Sequence, residues 1–221
     1  MADSELADSF YGRAAGIYDR VATAPVVQPW RDRCVTGLDL SPGDTVVDMG
    51  CGTGATLPAL RGAVGPEGAV VGVDLVVAML RRARRRVAGN GWENVHLLQG
   101  DATRPPVGSV DALVSTFAVG MFDDPGAAVR AWVRTVRPGG RVVLLNAVRT
   151  DRPLWRPVNL AFRLFTRLAA PEHRLTVRSP TQLLERRWNE SVDALFEHTV
   201  DHTTDRLGGG FVVFASGRVP G

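Results

Sequence analysis

At 221 residues the chain suits one domain with a sizeable core and a small cap. Its 45% hydrophobic and 22% charged residues are those of an ordinary soluble globular protein, and no run of roughly 18 apolar residues exists to span a membrane. The net charge is +3 and the isoelectric point about 9.5, with every basic residue an arginine, a bias read as a GC-rich coding sequence before any pull on anionic partners. Cys34 and Cys51 form no pairing or metal pattern, and the opening Met1-Ala2-Asp3-Ser4-Glu5 carries no signal-peptide features. A cytoplasmic, reduced protein without a metal is therefore expected.

In chain order, Leu6 to Leu38 reads as helical, interrupted around Pro25 and Pro29. Thr45 to Asp48 is a first strand ending in a glycine-rich turn, and Ala55 to Leu60 opens a helix. Val70 to Asp74 is a second strand, followed by a helix from Val76 to Ala88. Val95 to Gln99 and Asp111 to Thr116 are the third and fourth strands. A helix near Ala127–Val136 leads through the tight turn of Pro138-Gly139-Gly140 into a fifth strand, Arg141 to Ala147. Helical segments follow at Leu154–Ala169 and Thr181–Trp188. Leu195–Thr203 and Phe211–Ser216 then read as strands, antiparallel across Gly208-Gly209-Gly210. Apolar strands alternating with helices predict an α/β fold, a parallel sheet covered on both faces.

The strongest motif is Asp48-Met49-Gly50-Cys51-Gly52-Thr53-Gly54. Glycines directly after a strand bring bare backbone against a ligand. Gly50, Gly52 and Ala55 also fit a loose dinucleotide pattern, so the surroundings must decide. Asp48, two residues before Gly50, would repel a pyrophosphate but suits an ammonium group. Asp74 ends the second strand, where a carboxylate accepts from ribose hydroxyls. Gly100-Asp101-Ala102 follows the third strand at the sheet's carboxyl edge, where a carboxylate can accept from an adenine amino group.

Val-Val-Asp-Met-Gly-Cys-Gly-Thr-Gly (46–54), Gly-Val-Asp-Leu (72–75), Gly-Asp-Ala (100–102) and Arg-Pro-Gly-Gly-Arg (137–141), in this order, resemble the class I S-adenosylmethionine-dependent methyltransferases. Val73-Asp74-Leu75 with Ala78-Met79-Leu80 is similar to the small-molecule and quinone-type branch. The resemblance covers about Tyr11 to Leu145. It implies a Rossmann-like, doubly wound, seven-stranded mostly parallel sheet with an antiparallel C-terminal strand pair. It also implies S-adenosylmethionine as cofactor. Asp48 with Gly50, Cys51, Gly52, Thr53 and Gly54 would hold the methionine moiety, Asp74 the ribose, and Asp101 with the Ala102 backbone the adenine, with Leu75, Met79 and Gly100 also expected at the cofactor. Thr116 and Phe117 would border the transferred methyl. The division implied is an N-terminal helical lid (1–40), a cofactor-binding core (41–150), an amphipathic cap (151–178) and a C-terminal helix with a strand pair (179–221).

Several features stay open between two readings. Tyr11 and Tyr18 either fold over the cofactor as part of a lid or pack inside an amphipathic helix. Arg81, Arg82 and Arg84 to Arg86 lie opposite Met79, Leu80, Ala83 and Val87, which makes a solvated helix face the preferred reading over an anion site. In 152–170, Arg152, Arg156, Arg163 and Arg167 oppose Leu154, Trp155, Val158, Phe162, Leu164, Phe165 and Leu168. Such a segment can roof an acceptor pocket, the preferred reading, or touch a membrane peripherally. Both point to a small hydrophobic acceptor such as a quinone, lipid or secondary metabolite. No Asn/Asp-Pro-Pro-Tyr motif and no basic run with interleaved aromatics is present, so nucleic acid is not expected as a partner.

Methyl transfer from a sulfonium is a direct displacement that needs alignment more than a strong base. His173, after the amphipathic segment, is the candidate base. His96 in the third strand and His198 and His202 in the sixth are read as structural. Two rival functions remain: a cofactor-binding protein of the same fold without transferase activity, and a nicotinamide-dependent oxidoreductase. Oligomeric state is not legible.

Overall fold

A computed structural model describes residues 19–20, 22–150 and 180–221. Seven strands form one sheet: β1 (Thr45–Met49), β2 (Ala69–Asp74), β3 (Val95–Gln99), β4 (Val110–Thr116), β5 (Val136–Ala147), β6 (Val200–Leu207) and β7 (Val212–Arg218). Their order is β3-β2-β1-β4-β5-β7-β6, parallel from β3 to β5, with β7 antiparallel to both β5 and β6. This is the Rossmann-like sheet with an antiparallel C-terminal pair. The order reverses between β1 and β4, so a crevice opens at their carboxyl ends, where folds of this kind bind ligands.

The helices are α1 (Gln28–Leu38), α2 (Leu57–Val64), α3 (Val77–Gly89), α4 (Pro125–Thr135) and α5 (Pro180–Glu197). The two-residue repeat of the strands sorts the core into two layers. Val46, Val143, Leu145 and Phe214 point to the layer of Cys34, Leu38, Leu57, Leu60 and Ala83, on α1, α2 and α3. Val47, Met49, Leu113 and Leu144 point to that of Val129, Trp132, Trp188 and Leu195, on α4 and α5. By this alternation Asp48 faces the α1 side.

The larger departures from the sequence reading have local causes. Pro29 stands in the first turn of α1, where a missing N–H costs nothing, so it starts the helix instead of interrupting it. Helix α4 starts at Pro125 because the Asp124 carboxylate caps it, accepting from the Ala127 N–H at 2.8 Å. The fifth strand begins at Val136, paired with Val110. Arg137 to Gly140 then bulge out, with Gly139 at φ 83°, before Arg141 pairs with Ala112. Helix α5 runs on to Glu197, since Trp188, Ser191 and Leu195 keep its buried stripe at helical spacing. Hence β6 starts at Val200, and His198 lies in the turn before it.

Candidate functional site

Three glycines in the turn after β1 adopt left-handed backbone: Gly50 at φ 75°, Gly52 at 56° and Gly54 at 75°. The N–H groups of Gly50 and Cys51 both donate to the Val73 carbonyl, at 2.8 and 3.0 Å, tying the turn to β2. A Cβ at Gly50 would stand 2.6 Å from the Ala118 Cβ, and one at Gly54 2.6 Å from Leu57 Cδ1. The turn is therefore shaped by close packing from β4's exit and from α2 as well as by its own dihedrals.

Asp74 at the end of β2 completes this frame. Its Oδ2 accepts from the Gly52 N–H at 2.8 Å and its Oδ1 from the Val76 N–H at 2.9 Å. Burial raises its carboxyl above the usual carboxylate range, while the N–H groups of Val76, Gly52 and Leu75 pull against that rise. Each carboxylate oxygen has a second lone pair, so Asp74 can brace the turn and still accept from a ligand.

Asp48 is fully buried, and neither carboxylate oxygen has a hydrogen-bond partner among the described residues. Burial pushes its carboxyl up to about 7. Arg31 works against the rise, and Asp74 adds to it. Arg31 reaches this corner from α1 and is itself buried, with its guanidinium carbon 6.0 Å from the centre of the Phe117 ring. One turn further along α1, burial and then the neighbouring Asp48 push the Cys34 thiol up to about 12. Cys51, in the glycine turn, is likewise held well above its usual value by burial, with Asp48 and Asp74 adding to it. Both cysteines are free thiols.

The remaining edge comes from β3 and β4. The Gly100 N–H donates to the Asp74 carbonyl at 3.1 Å, linking the two strand ends. Asp101 is exposed and turns its Oδ1 onto the Thr103 N–H (2.9 Å) and hydroxyl (2.7 Å). The Ala102 carbonyl accepts from Trp132 Nε1 at 2.7 Å, which fixes the loop from below. Thr116 lies 3.4 Å from the Thr56 hydroxyl, and Phe117 takes the left-handed conformation at φ 59°. That is costly for an aromatic residue, and the Phe117 N–H bond to the Leu145 carbonyl at 2.7 Å helps hold it.

Asp48, the glycine turn, Asp74, Gly100 and Phe117 thus gather at the sheet's carboxyl edge. Thr53 is buried there with a hydroxyl that has no partner among the described residues. Leu75 is half-exposed, whereas Met79 is buried under α3. Tyr11, Tyr18, His173 and the segment 152–170 lie outside the described residues. Arg81, Arg84 and Arg85 are exposed, as a solvated face requires. Arg86 instead turns back, with Nε 3.3 Å from the Thr53 carbonyl and Nη2 3.0 Å from Asp19.

Two residues of this region escaped the sequence reading. Arg31 shares its buried helix face with Cys34 and Leu38, at i, i+3 and i+7, so an arginine on an apolar stripe was the signal. Asn146 closes the apolar run of β5 and is buried near Gly120. Its signal was a lone amide at the end of an otherwise apolar strand.

A family described as "Methyltransferase domain" matches residues 46–140, the stretch that builds β1 to the start of β5. Nocamycin O-methyltransferase of Saccharothrix syringae is 34% identical over 140 residues, covering 62% of this chain and 50% of that protein. Demethylmenaquinone methyltransferase of Desulfitobacterium hafniense is 32% identical over 127 residues, covering 56% and 50%. The chain thus spans about half the length of the curated relatives it matches. Among solved structures, a putative S-adenosyl-L-methionine-dependent methyltransferase from Methanococcus maripaludis superposes with a TM-score of 0.68 at 18% identity, over 96% of this chain and 94% of that one.

Proposed function

We propose that this chain, whose sheet core is a class I S-adenosylmethionine-dependent methyltransferase domain, transfers a methyl group to a small hydrophobic acceptor. The observation that carries this reading is Asp48, a buried carboxylate without a hydrogen-bond partner among the described residues, beside a turn of three left-handed glycines. Buried polar groups are almost always satisfied, so an orphaned carboxylate in a glycine cradle marks the place of a ligand's donor. An ammonium-bearing adenosyl compound fits this set, whereas a pyrophosphate would meet repulsion from Asp48. Bound S-adenosylmethionine supplies an electrophilic methyl on a sulfonium.

The residues of the chain then bind and align. Asp48 and the turn 50–54 hold the methionine end, and the spare lone pairs of Asp74 accept from the ribose. Asp101 and the Ala102 backbone take the adenine. Phe117, fixed in its left-handed conformation, borders the acceptor side with Thr116. Alignment in a water-poor crevice lowers the barrier without a strong base. The N-terminal segment 1–40 serves as lid and 151–178 as cap, with His173 the candidate base at its end. The arginine-faced stretch 152–170 roofs the pocket or rests on a membrane surface. Buried free thiols at Cys34 and Cys51 suit a reducing, cytoplasmic setting. No helix among the described residues is long and apolar enough to cross a membrane.

The names of the relatives, a nocamycin O-methyltransferase and a demethylmenaquinone methyltransferase, support small-molecule acceptors over macromolecules. The test is to incubate the protein with S-adenosylmethionine and a panel of hydroxyquinones, phenols and lipid-soluble alcohols, and to measure released S-adenosylhomocysteine. Acceptor-dependent release is expected. Tight cofactor binding with no release for any acceptor, and a filled acceptor cavity, would favour a binding protein of the same fold.

A further inference from the structure

We propose that the Asn146 amide is the polar anchor of the acceptor, donating from Nδ2 to an oxygen on a single aromatic ring. The ring sits in a cleft between α5 and the strands β5, β7 and β6. The proposal rests on the methyl-transfer reading above and deepens it by naming the chemistry recognised on the acceptor side.

Strand β5 crosses the core as Val142-Val143-Leu144-Leu145 and then places an amide at 146. Val142, Leu144 and Val148 face α4 and α5, so the two-residue repeat turns Asn146 to that side as well. Asn146 is 4% exposed, and its Nδ2 has no partner among the described residues. A buried donor without an acceptor lowers stability, and an apolar side chain of the same shape would remove that cost. Keeping the amide suits a donor that a ligand completes. Gly120, in the 3-10 turn Val119–Met121, leaves the space in front of it open. A Cβ there would stand 3.1 Å from Asn146 Nδ2 and 2.6 Å from Leu184 Cδ2 of α5.

The neighbours of Asn146 supply room for the ring. Val213 stands directly opposite it on β7, and Arg206 opposite Val213 on β6, so the three form one row across the sheet. Val148 lies two residues further along β5. Val148, Val213 and Arg206 line a cleft of about 140 Å³ with Glu185, Trp188 and Asn189 of α5. An apolar cavity of about 150 Å³ takes benzene, so a floor of Val148, Trp188 and Val213 suits one aromatic ring. Apolar contact alone admits any ring of that size, whereas a buried donor selects those that bring an oxygen. The loop after β4 joins this cleft to the glycine turn, since Ala118 lies against Gly50 and Gly120 against Asn146.

The test needs no turnover. Two matched pairs of probes, acetophenone with ethylbenzene and p-cresol with toluene, are titrated into the wild-type protein and followed by nuclear magnetic resonance. Each pair keeps the ring and differs in its oxygen. The oxygen-bearing member should bind about 5- to 100-fold more tightly in at least one pair. It should also move the Asn146 side-chain NH2 resonance, assigned by its loss in Asn146→Leu. That variant should bind both members of each pair alike and keep its affinity for S-adenosylhomocysteine. Equal affinity within both pairs, binding that leaves the Asn146 resonance in place, or no binding of any probe overturns the proposal. So does an Asn146→Leu variant that still prefers the oxygen. S-adenosylhomocysteine is titrated into the same wild-type protein. Its binding without any preference for oxygen removes the anchor and keeps the methyl-transfer reading, whereas preference for oxygen without its binding does the reverse. If Asn146→Leu does not fold, Asn146→Val, which suits a strand and also lacks the donor, takes its place.

Discussion

Asp74 accepts a 2.8 Å hydrogen bond from the N–H of Gly52, so the end of β2 fixes the turn that follows β1. The contact spans 22 residues of sequence and holds the left-handed glycine where a ligand would meet bare backbone. Asp74→Ala leaves the N–H groups of Gly52 and Val76 without this acceptor, at a cost of about 1–3 kcal/mol. A drop of roughly 3–10 °C in the melting temperature of the ligand-free protein is expected. An unchanged melting curve would mean that the turn holds its shape without Asp74.

Proton linkage at Asp48 gives a pH signature of known sign. Its carboxyl is raised from 3.8 to about 7, so the folded protein binds this proton more tightly than the unfolded chain does. Stability from this group is present below pH 4 and is lost as pH rises towards 7, on the order of 4 kcal/mol in all. The facing groups are Arg31 and Cys34 on α1, Cys51 in the glycine turn and Asp74 on β2. Asp48→Asn should therefore melt above the wild type at pH 8, by a margin that shrinks towards pH 5. A margin independent of pH would contradict the assignment.

Ligand affinity should run in the opposite direction. An ammonium prefers the ionised carboxylate, so S-adenosylhomocysteine binding strengthens as pH rises through about 7. Calorimetry in buffers of different ionisation enthalpy should show proton release on binding near pH 6.5, absent in Asp48→Asn.

Glycine positions separate shape from propensity. Gly50→Ala places a methyl 2.6 Å from the Ala118 Cβ in a left-handed conformation, and should cost about 1–3 kcal/mol in urea unfolding. Gly62→Ala, in α2 with nothing within 4 Å of the new methyl, should instead stabilise by up to about 1 kcal/mol. Equal effects at the two sites would remove the argument for a tightly packed turn.

Trp132 tests the support beneath the loop that follows β3. Trp132→Phe keeps most of the ring contact with Phe122 but removes the 2.7 Å bond to the Ala102 carbonyl. Amides from Gly100 to Arg104 should exchange roughly tenfold faster or more, for a lost bond of about 1–3 kcal/mol.

What the sequence made legible was what local chemistry dictates. The β-branched runs at 45–48 and 70–74, the glycines at 50, 52 and 54, and Gly208-Gly209-Gly210 each carry their conformation in a few neighbouring residues. The places of Asp48 and Asp74 in the fold, late in β1 and at the end of β2, were legible because strand ends and glycine turns set them. The Arg31–Asp48 relation was hidden because α1 meets β1 only through tertiary packing, and no spacing rule links a helix arginine to a strand carboxylate. The extent of α5 was misread for the same reason. Leu195 and Phe196 look strand-like locally, but the core that buries Trp188 and Leu195 keeps them helical.

The most direct test of the central claim is a calorimetric titration of the wild-type protein with S-adenosylhomocysteine, run beside NADH. The account predicts one micromolar site for S-adenosylhomocysteine and no heat from NADH. NADH binding without any for S-adenosylhomocysteine would contradict it and return the glycine turn to a nicotinamide cofactor.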